Sequence, residues 1–456
     1  AAVAPAARPA GTAIGYLLVD LATGRELAAL NPDLPLVPAS TAKLATAVVA
    51  LDVLGPGHRF RTELLAGGAV RGGVLHGDLI LTGGGDPALD VADLLGLAVR
   101  LRASGVHRVA GRLLVDDTAL PRLTEIAPSQ PPEAAYNPGL GALSLAFNRV
   151  RVAWRGGPAG APATLPPLAE ARLEAAPPAR LPPGGVELEG AGDGAVLWRV
   201  ADGGGGGRRR ELALPVKDPG LHAGHVFRRL ALGQGVELGP PRRGPAPPGA
   251  HALAVHEGAP LDHLVRDMLV YSNNVMAELI GLAAAARLGG GAPPDLAAAG
   301  ALLLAHLGRL MPAVDWRGAA LGNGSGLDGA ARLTPRQLAA ILRYGWRREA
   351  LPALLPGGGW SGTLAGRFVD GDAALRVWAK TGSLHYGGAL AGYLFPAGGR
   401  PAVFATLVAD PGARAAYDGL GRPDAAAEAA AHAWNARARA LQDELVGGWL
   451  EPPPAS

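Results

Sequence analysis

The stretch "VPASTAKLATAVVALDVLG", residues 37–55, carries the reading that decides the fold. A proline-marked polar loop gives way to a helical pattern from about Ser40 to Leu54, with Leu44, Val48 and Leu51 forming an apolar face. The stretch also holds a lysine in a chain that has almost none. Of 42 Lys plus Arg, only Lys43, Lys217 and Lys380 are lysines. Arginine is permanently charged, whereas a buried lysine can give up its proton and act as a base. Positions i and i+3 share a helix face, so Lys43 can reach the Ser40 hydroxyl. That hydroxyl is a poor nucleophile until a neighbouring base takes its proton. Burial and the charge of Lys380 are expected to lower the Lys43 pKa enough for that task. Ser40 in the first helical turn would bring a reacting carbonyl oxygen near unpaired backbone N–H groups.

Two further short patterns follow in order, Ser272-Asn273-Asn274 and Lys380-Thr381-Gly382-Ser383. With nine Ser, three Lys and seven Asn in 456 residues, the chance expectation for all three patterns together is on the order of 10⁻⁴. Ser272, in a turn between two helical patterns, can relay a proton to a leaving amine, and Asn274 can hold an amide carbonyl. Lys380 offers a fixed cation for a substrate carboxylate, with the Thr381 hydroxyl beside it. Gly382 permits close backbone approach, and the Ser383 N–H can join the Ser40 N–H as an oxyanion hole. Together these residues describe acyl transfer on a peptide that ends in a free carboxylate.

The rest of the chain supplies the frame. Its length exceeds what one core usually serves, so two or more domains are expected. A hydrophobic content of 49% with 18% charged residues fits a folded protein. The net charge of +3 makes nucleic acid a poor default partner. No cysteine is present, which excludes disulfides, thiolate metal sites and a cysteine nucleophile. No apolar run is long enough to span a membrane, and the opening "AAVAPAARPAG" reads like an exported chain after cleavage. "IGYLLVDL" (14–21) and "LAAL" (27–30) read as strands, as do "RVWAKTGSL", "GGALAGYLF" and "PAVFATLVA" near the end. Between them, from about residue 62, short strands alternate with Gly/Pro loops, with one helix near 91–103. "GGPAGAPATLPP" (156–167) and "ADGGGGGRRR" (201–210) read as exposed loops, and "GPPRRGPAPPGAH" (239–251) as a linker. Helical patterns resume to about 350, and a last helix closes the chain. An α/β domain split by a β-rich insertion accounts for this order.

The three patterns have the S-x-x-K, S-x-N and K-T-G form of the serine penicillin-recognising enzymes. The chain resembles the D-alanyl-D-alanine carboxypeptidase/endopeptidase family, the S13 peptidase type of low-molecular-mass class C penicillin-binding protein. The resemblance extends to "LTGGGDPAL" (81–89), "VDDT" (115–118), "GALSLAFNRV" (141–150), "NGSGL" (323–327), "LTPRQL" (333–338) and "SGTLAGRF" (361–368). It departs from the family where Asn323 stands for the usual Asp, and where "ATLVAD" lacks the usual following Asn. The resemblance implies an α/β β-lactamase/transpeptidase-like domain, an antiparallel sheet flanked by helices, over 1–61 and 256–456. Two nested β-rich domains would interrupt it over 62–255. It implies a serine peptidase that cleaves terminal D-Ala-D-Ala, and possible cross-links, of peptidoglycan stem peptides through an acyl-enzyme on Ser40. Catalysis would fall to Ser40, Lys43 and Ser272, and substrate binding to Asn274, Lys380, Thr381, Gly382 and Ser383. No cofactor or metal is called for, penicillins would acylate the protein, and its place would be the periplasm or cell envelope.

Other readings compete. Fast deacylation in one large class of β-lactamase needs a Glu with an Asn four residues on after the second pattern; Glu278 and Glu349 lack it. A non-catalytic wall-binding protein would not need Ser40, Lys43 and Lys380 in a lysine-starved chain. "TGGGDP" reads as a tight turn, since no Lys-Ser/Thr follows it. Asp116-Asp117 reads as a strand-end turn, Arg208–Arg210 as a solvated hairpin tip, and Lys217 has no assigned role. The 11 His show no metal-ligand spacing, and His385 is at most a cleft residue. The last helix is too rich in alanine for a membrane anchor.

Overall fold

The strand Ala13–Asp20 pairs along its full length with Ala402–Ala409, so opposite ends of the sequence share one sheet. The computed structural model describes residues 11–155, 163–165, 171–176, 186–192, 195–201, 209–348, 350–371, 373–421 and 423–450. Ala1–His58 with Leu261–Ser456 form one compact unit, and Arg59–Pro260 form the other.

The sheet of the first unit is antiparallel and five-stranded, in the order Val377–Leu384, Gly387–Leu394, Ala402–Ala409, Ala13–Asp20, Glu26–Leu30. Its central strands read as nearly unbroken apolar runs because both faces are covered. On one face Ile14, Tyr16 and Val408 pack on Trp434 and Leu441 of the long helix Ala425–Leu450. Leu18 and Phe404 continue that layer against Val446 and Leu450. On the other face the Tyr393 hydroxyl donates to the Leu342 carbonyl of the helix Pro335–Arg348 at 2.7 Å. This is the α/β architecture expected, with helices on both sides of an antiparallel sheet. Among the described residues no helix is long and apolar enough to cross a membrane.

The helix expected over 40–54 differs in two respects. Ala39–Ala42 is a 3₁₀ turn, and the α-helix proper is Lys43–Leu54. Lys43 through Leu51 are all buried, so there is no apolar face opposed to a polar one. A helix that is apolar all round belongs in an interior. This one packs against the helices Asn274–Gly289, Leu296–Leu310 and Pro335–Arg348.

In the second unit Arg59–Ala66 pairs with both Leu79–Gly83 and His251–Pro260. Leu113–Asp116 and Pro241–Arg243 extend that sheet in parallel. The helices Val91–Ala103 and Pro219–Gly233 pack through Leu94, Leu97, Val226 and Phe227 into its core. Among the described residues three smaller sheets follow in this unit, two of them between Arg149 and Pro215. The unit changes over at 58/59 and 260/261 because Arg59 stands opposite Pro260 in one ladder. The stretch read as a linker is not one. Pro241–Arg243 is a strand, and Arg243 pairs with Asp117 and Asp218. The helix Pro219–Gly233 was not anticipated. Of the two expected loops, 156–167 contains the strand Ala163–Leu165. Residues 202–208 of the other, including Arg208, lie outside the described residues, as do residues 1–10 of the opening segment and Glu349.

Candidate active site

Ser40 sits in the 3₁₀ turn that leads into the helix Lys43–Leu54, directly after Ala39. Ala39 is fully buried at φ +45°, a left-handed conformation that a residue with a Cβ adopts at a cost of about 1–3 kcal/mol. The turn is held there by its surroundings. Gly326, at φ +73°, lies so close that an added Cβ would come within 2.0 Å of the Ala39 carbonyl oxygen. From the other side, a Cβ on Gly382 would come within 2.7 Å of the Pro38 carbonyl oxygen and 3.1 Å of the Ser40 nitrogen. Gly382 lies in Val377–Leu384, an edge strand. Alternate N–H groups of an edge strand have no ladder partner; that of Ala379 donates to the Pro356 carbonyl oxygen, and the strand passes the Ser40 turn at Gly382.

Lys43 is 0% exposed. Its Nζ lies 2.9 Å from Ser40 Oγ, 2.8 Å from Asn274 Oδ1 and 3.0 Å from the Ser325 carbonyl oxygen. Burial lowers its pKa to about 7, against the pull of the Glu278 carboxylate. Burial is the larger part of what was expected, and the Lys43 and Lys380 charges do act on one another. Lys380 is itself 0% exposed and donates to the Thr381 carbonyl oxygen at 2.8 Å. Burial, and next the charge on Lys43, push its pKa well below the ordinary lysine range. Lys380 is thus covered by its surroundings, with its Nζ on the backbone of its own strand.

Ser272 occupies the turn between Leu261–Tyr271 and Asn274–Gly289 at φ +56°. The helix cap in this motif is Asn273, whose side chain accepts the Met276 N–H at 3.1 Å. That leaves Asn274, in the first turn, to point its carbonyl at Lys43. Its oxygen is engaged there, so the residue orients the lysine as well as bordering the site. Thr381 donates its hydroxyl proton to Thr363 Oγ1 at 2.9 Å. A cleft of about 430 Å³ is lined by Ser40, Ser272, Thr381 and Ser383, together with Arg367 and Arg439. His385 turns away from it, stacking on Tyr417 with its Nε2 3.4 Å from Glu428. Lys217 lies in the second unit, its Nζ 3.4 Å from the Asn137 carbonyl oxygen.

Sequence reading missed Glu278. It is 1% exposed, and its two oxygens accept the N–H groups of Gly324 and Ser325 at 2.8 and 2.9 Å. Burial pushes its pKa up, while those donors and Lys43 pull it down. Two separate backbone donors on two oxygens suit the ionised carboxylate, which is acceptor only. The strap 323–326 is tied further by Thr46, which donates to the Gly324 carbonyl oxygen at 2.6 Å. Asn323 accepts the Gly326 N–H at 2.9 Å. The strap thus fixes the Ser325 carbonyl on Lys43. A signal existed: Glu278 is the one acid in "NVMAELIGLAAAARLG" and stands four residues after Asn274, on the same helix face. Among the described residues no His, Cys, Asp and Glu cluster of metal-binding form occurs.

Residues 2–169 and 203–428 match the model of the D-Ala-D-Ala carboxypeptidase 3 (S13) family. A D-alanyl-D-alanine carboxypeptidase of Actinomadura sp. (strain R39) is 31% identical over 428 residues, covering 84% of this chain and 75% of that protein. A carboxypeptidase of Mycobacterium tuberculosis is 32% identical over 426 residues, covering 88% of this chain and 78% of that protein. Among solved structures, penicillin-binding protein 4 of Haemophilus influenzae superposes with a TM-score of 0.77 at 23% identity, covering 89% of this chain and 92% of that one.

Proposed function

Because the chain belongs to the D-Ala-D-Ala carboxypeptidase 3 (S13) family, we propose that it removes the terminal residue of D-Ala-D-Ala peptides through an acyl-enzyme on Ser40. The observation that carries this is the Lys43 amine, fully buried and 2.9 Å from Ser40 Oγ. With a pKa near 7 a large share of it is neutral at neutral pH. A neutral amine has two N–H groups for Asn274 Oδ1 and the Ser325 carbonyl, and a lone pair left for the Ser40 proton.

Ser40 Oγ then attacks the carbonyl of the penultimate D-Ala as its proton passes to Lys43. The oxyanion that forms is held by the N–H groups of Ser40 and Ser383, brought together by the close passage of Gly382. Ser272 faces the same cleft and relays the proton to the departing amine of D-Ala. Asn274 keeps Lys43 aimed, and the hydroxyls of Thr381 and Ser383 border the leaving group. Water completes the reaction by hydrolysing the ester, with Lys43 again taking the proton.

The substrates on this reading are stem peptides of peptidoglycan, and the working location is outside the cytoplasmic membrane. A cross-link offers the same carbonyl with a different leaving amine, so endopeptidase cleavage uses the same residues. Penicillins present a strained amide to the same serine. No carboxylate lines the described cleft, and Glu278 is spent on Gly324 and Ser325. With no acid placed to drive rapid hydrolysis, the penicilloyl ester persists, which separates this protein from a β-lactamase. The test is D-Ala release from an acylated tripeptide ending in D-Ala-D-Ala. Wild type releases it and Ser40→Ala does not; release that survives in Ser40→Ala would sink the proposal.

A further inference from the structure

We infer that Arg439 is the cation that reads the free C-terminal carboxylate of the substrate, a specificity-determining residue outside all three motifs. This rests on the acyl-transfer reading of Ser40. The residue that leaves carries its carboxylate one residue beyond the scissile carbonyl. A carboxylate taken from water needs donors, and a cation among them roughly doubles each hydrogen bond's strength. Lys380 is not the exposed cation of the cleft. It is fully covered, and its Nζ is turned onto the Thr381 carbonyl of its own strand.

Two arginines do line the cleft with Ser40, Thr381 and Ser383. Arg367 is committed: its Nε and Nη2 both donate to Asp443 Oδ1, at 2.9 and 2.6 Å, and it is 9% exposed. Its charge is therefore cancelled on the spot. Arg439 is exposed and has no hydrogen-bond or ion-pair partner among the described residues. It stands one helical turn before Asp443, the spacing at which an arginine and an acid on one helix commonly pair. That carboxylate faces Arg367 instead. The two guanidinium groups are near enough that the charge on Arg439 contributes to lowering the Arg367 pKa. The cleft wall is left with one surplus positive charge, and Arg439 carries it. Its planar fork matches a carboxylate in two parallel hydrogen bonds, and the Thr381 and Ser383 hydroxyls stand on the same cleft. Arg439 also lies beyond residue 428, where the match to the family model ends.

The test compares an N-acylated peptide ending in D-Ala-D-Ala as the free acid with the same peptide as its C-terminal amide. Wild type should prefer the acid. Arg439→Ala should lower kcat/KM for the acid about tenfold, mainly through KM, and leave the amide unchanged. Arg439→Lys should recover part of the loss, because an ammonium keeps the charge without the fork. Added salt should shrink the wild-type preference, as the site is open to solvent. An acid-to-amide ratio unchanged in Arg439→Ala, or an equal loss on both peptides, overturns the inference while leaving Ser40 its role. A wild type that cleaves neither peptide removes the functional reading and this inference together.

Discussion

Three oxygens surround the Lys43 amine, and what they can accept decides its two states. Protonated, it has three N–H groups for Ser40 Oγ, Asn274 Oδ1 and the Ser325 carbonyl. Neutral, it keeps the last two and takes the proton of the first. The same cage therefore serves both ends of the proton transfer without rearrangement. The rate of acylation should rise with pH through about 7 and then level, since the folded pKa is depressed and the reactive form lies above it. A pH profile of penicillin acylation checks this. Glu278→Gln removes the charge that holds the Lys43 pKa up, so the rising limb should move to lower pH. Glutamine also offers one acceptor to two backbone N–H groups, which should cost about 1–3 kcal/mol in denaturant unfolding. Ser40 and Lys43 were legible because their spacing is local and lysine is scarce. Glu278 was not, because its partners at 324 and 325 are distant in sequence and only the fold brings them together. The covered state of Lys380 was hidden for the same reason: a motif gives identity and order, but burial comes from what packs on top.

At the scale of elements, the site is made by a 3₁₀ turn, an edge strand and a strap meeting at backbone distance. Gly382 sits at a tight contact with the Ser40 turn. A methyl there meets backbone atoms of Pro38 and Ser40, which cannot swing aside as a side chain would. Gly382→Ala should therefore push the strand away from Ser40. We expect about 1–3 kcal/mol of destabilisation, and a fall in acylation rate larger than any change in noncovalent penicillin affinity. Stopped-flow acylation across penicillin concentrations separates the two. The strands of the first sheet could be read from the sequence because their apolar runs are long and bounded by turns. The helix Pro219–Gly233 could not. Glycines at 220 and 224 lower its helix propensity, although Asp218 caps it and a proline at 219 suits its first position. Those glycines sit where the helix comes against Val115 and Pro241, so tertiary packing overrides local preference. The false linker at 239–251 has a matching cause, since a three-residue edge strand leaves little trace among prolines.

At the scale of the molecule, the first unit is built from two distant parts of the chain that meet as neighbouring strands. We propose that the unit Arg59–Pro260 is the insertion expected over 62–255, its ends displaced by a few residues because the first and last strands pair. The Leu261 N–H donates to the His58 carbonyl oxygen at 2.9 Å, so the two ends of the first unit are adjacent. A chain lacking 59–260, closed by a short glycine link, should fold and still be acylated by penicillin at Ser40. Failure to fold would show that the first unit depends on the second. Leu441→Ala, in the layer between the last helix and the sheet, should cost about 2–5 kcal/mol without altering the pH profile of the survivors.

The most direct test of the account is the mass of the intact protein after incubation with a penicillin, for wild type, Ser40→Ala and Lys43→Met. The account predicts one long-lived penicilloyl adduct on wild type, mapped to Ser40, none on Ser40→Ala, and adduct formation at least about a hundredfold slower on Lys43→Met. An adduct on Ser40→Ala, or no adduct on wild type with the penicillin left intact, would contradict it.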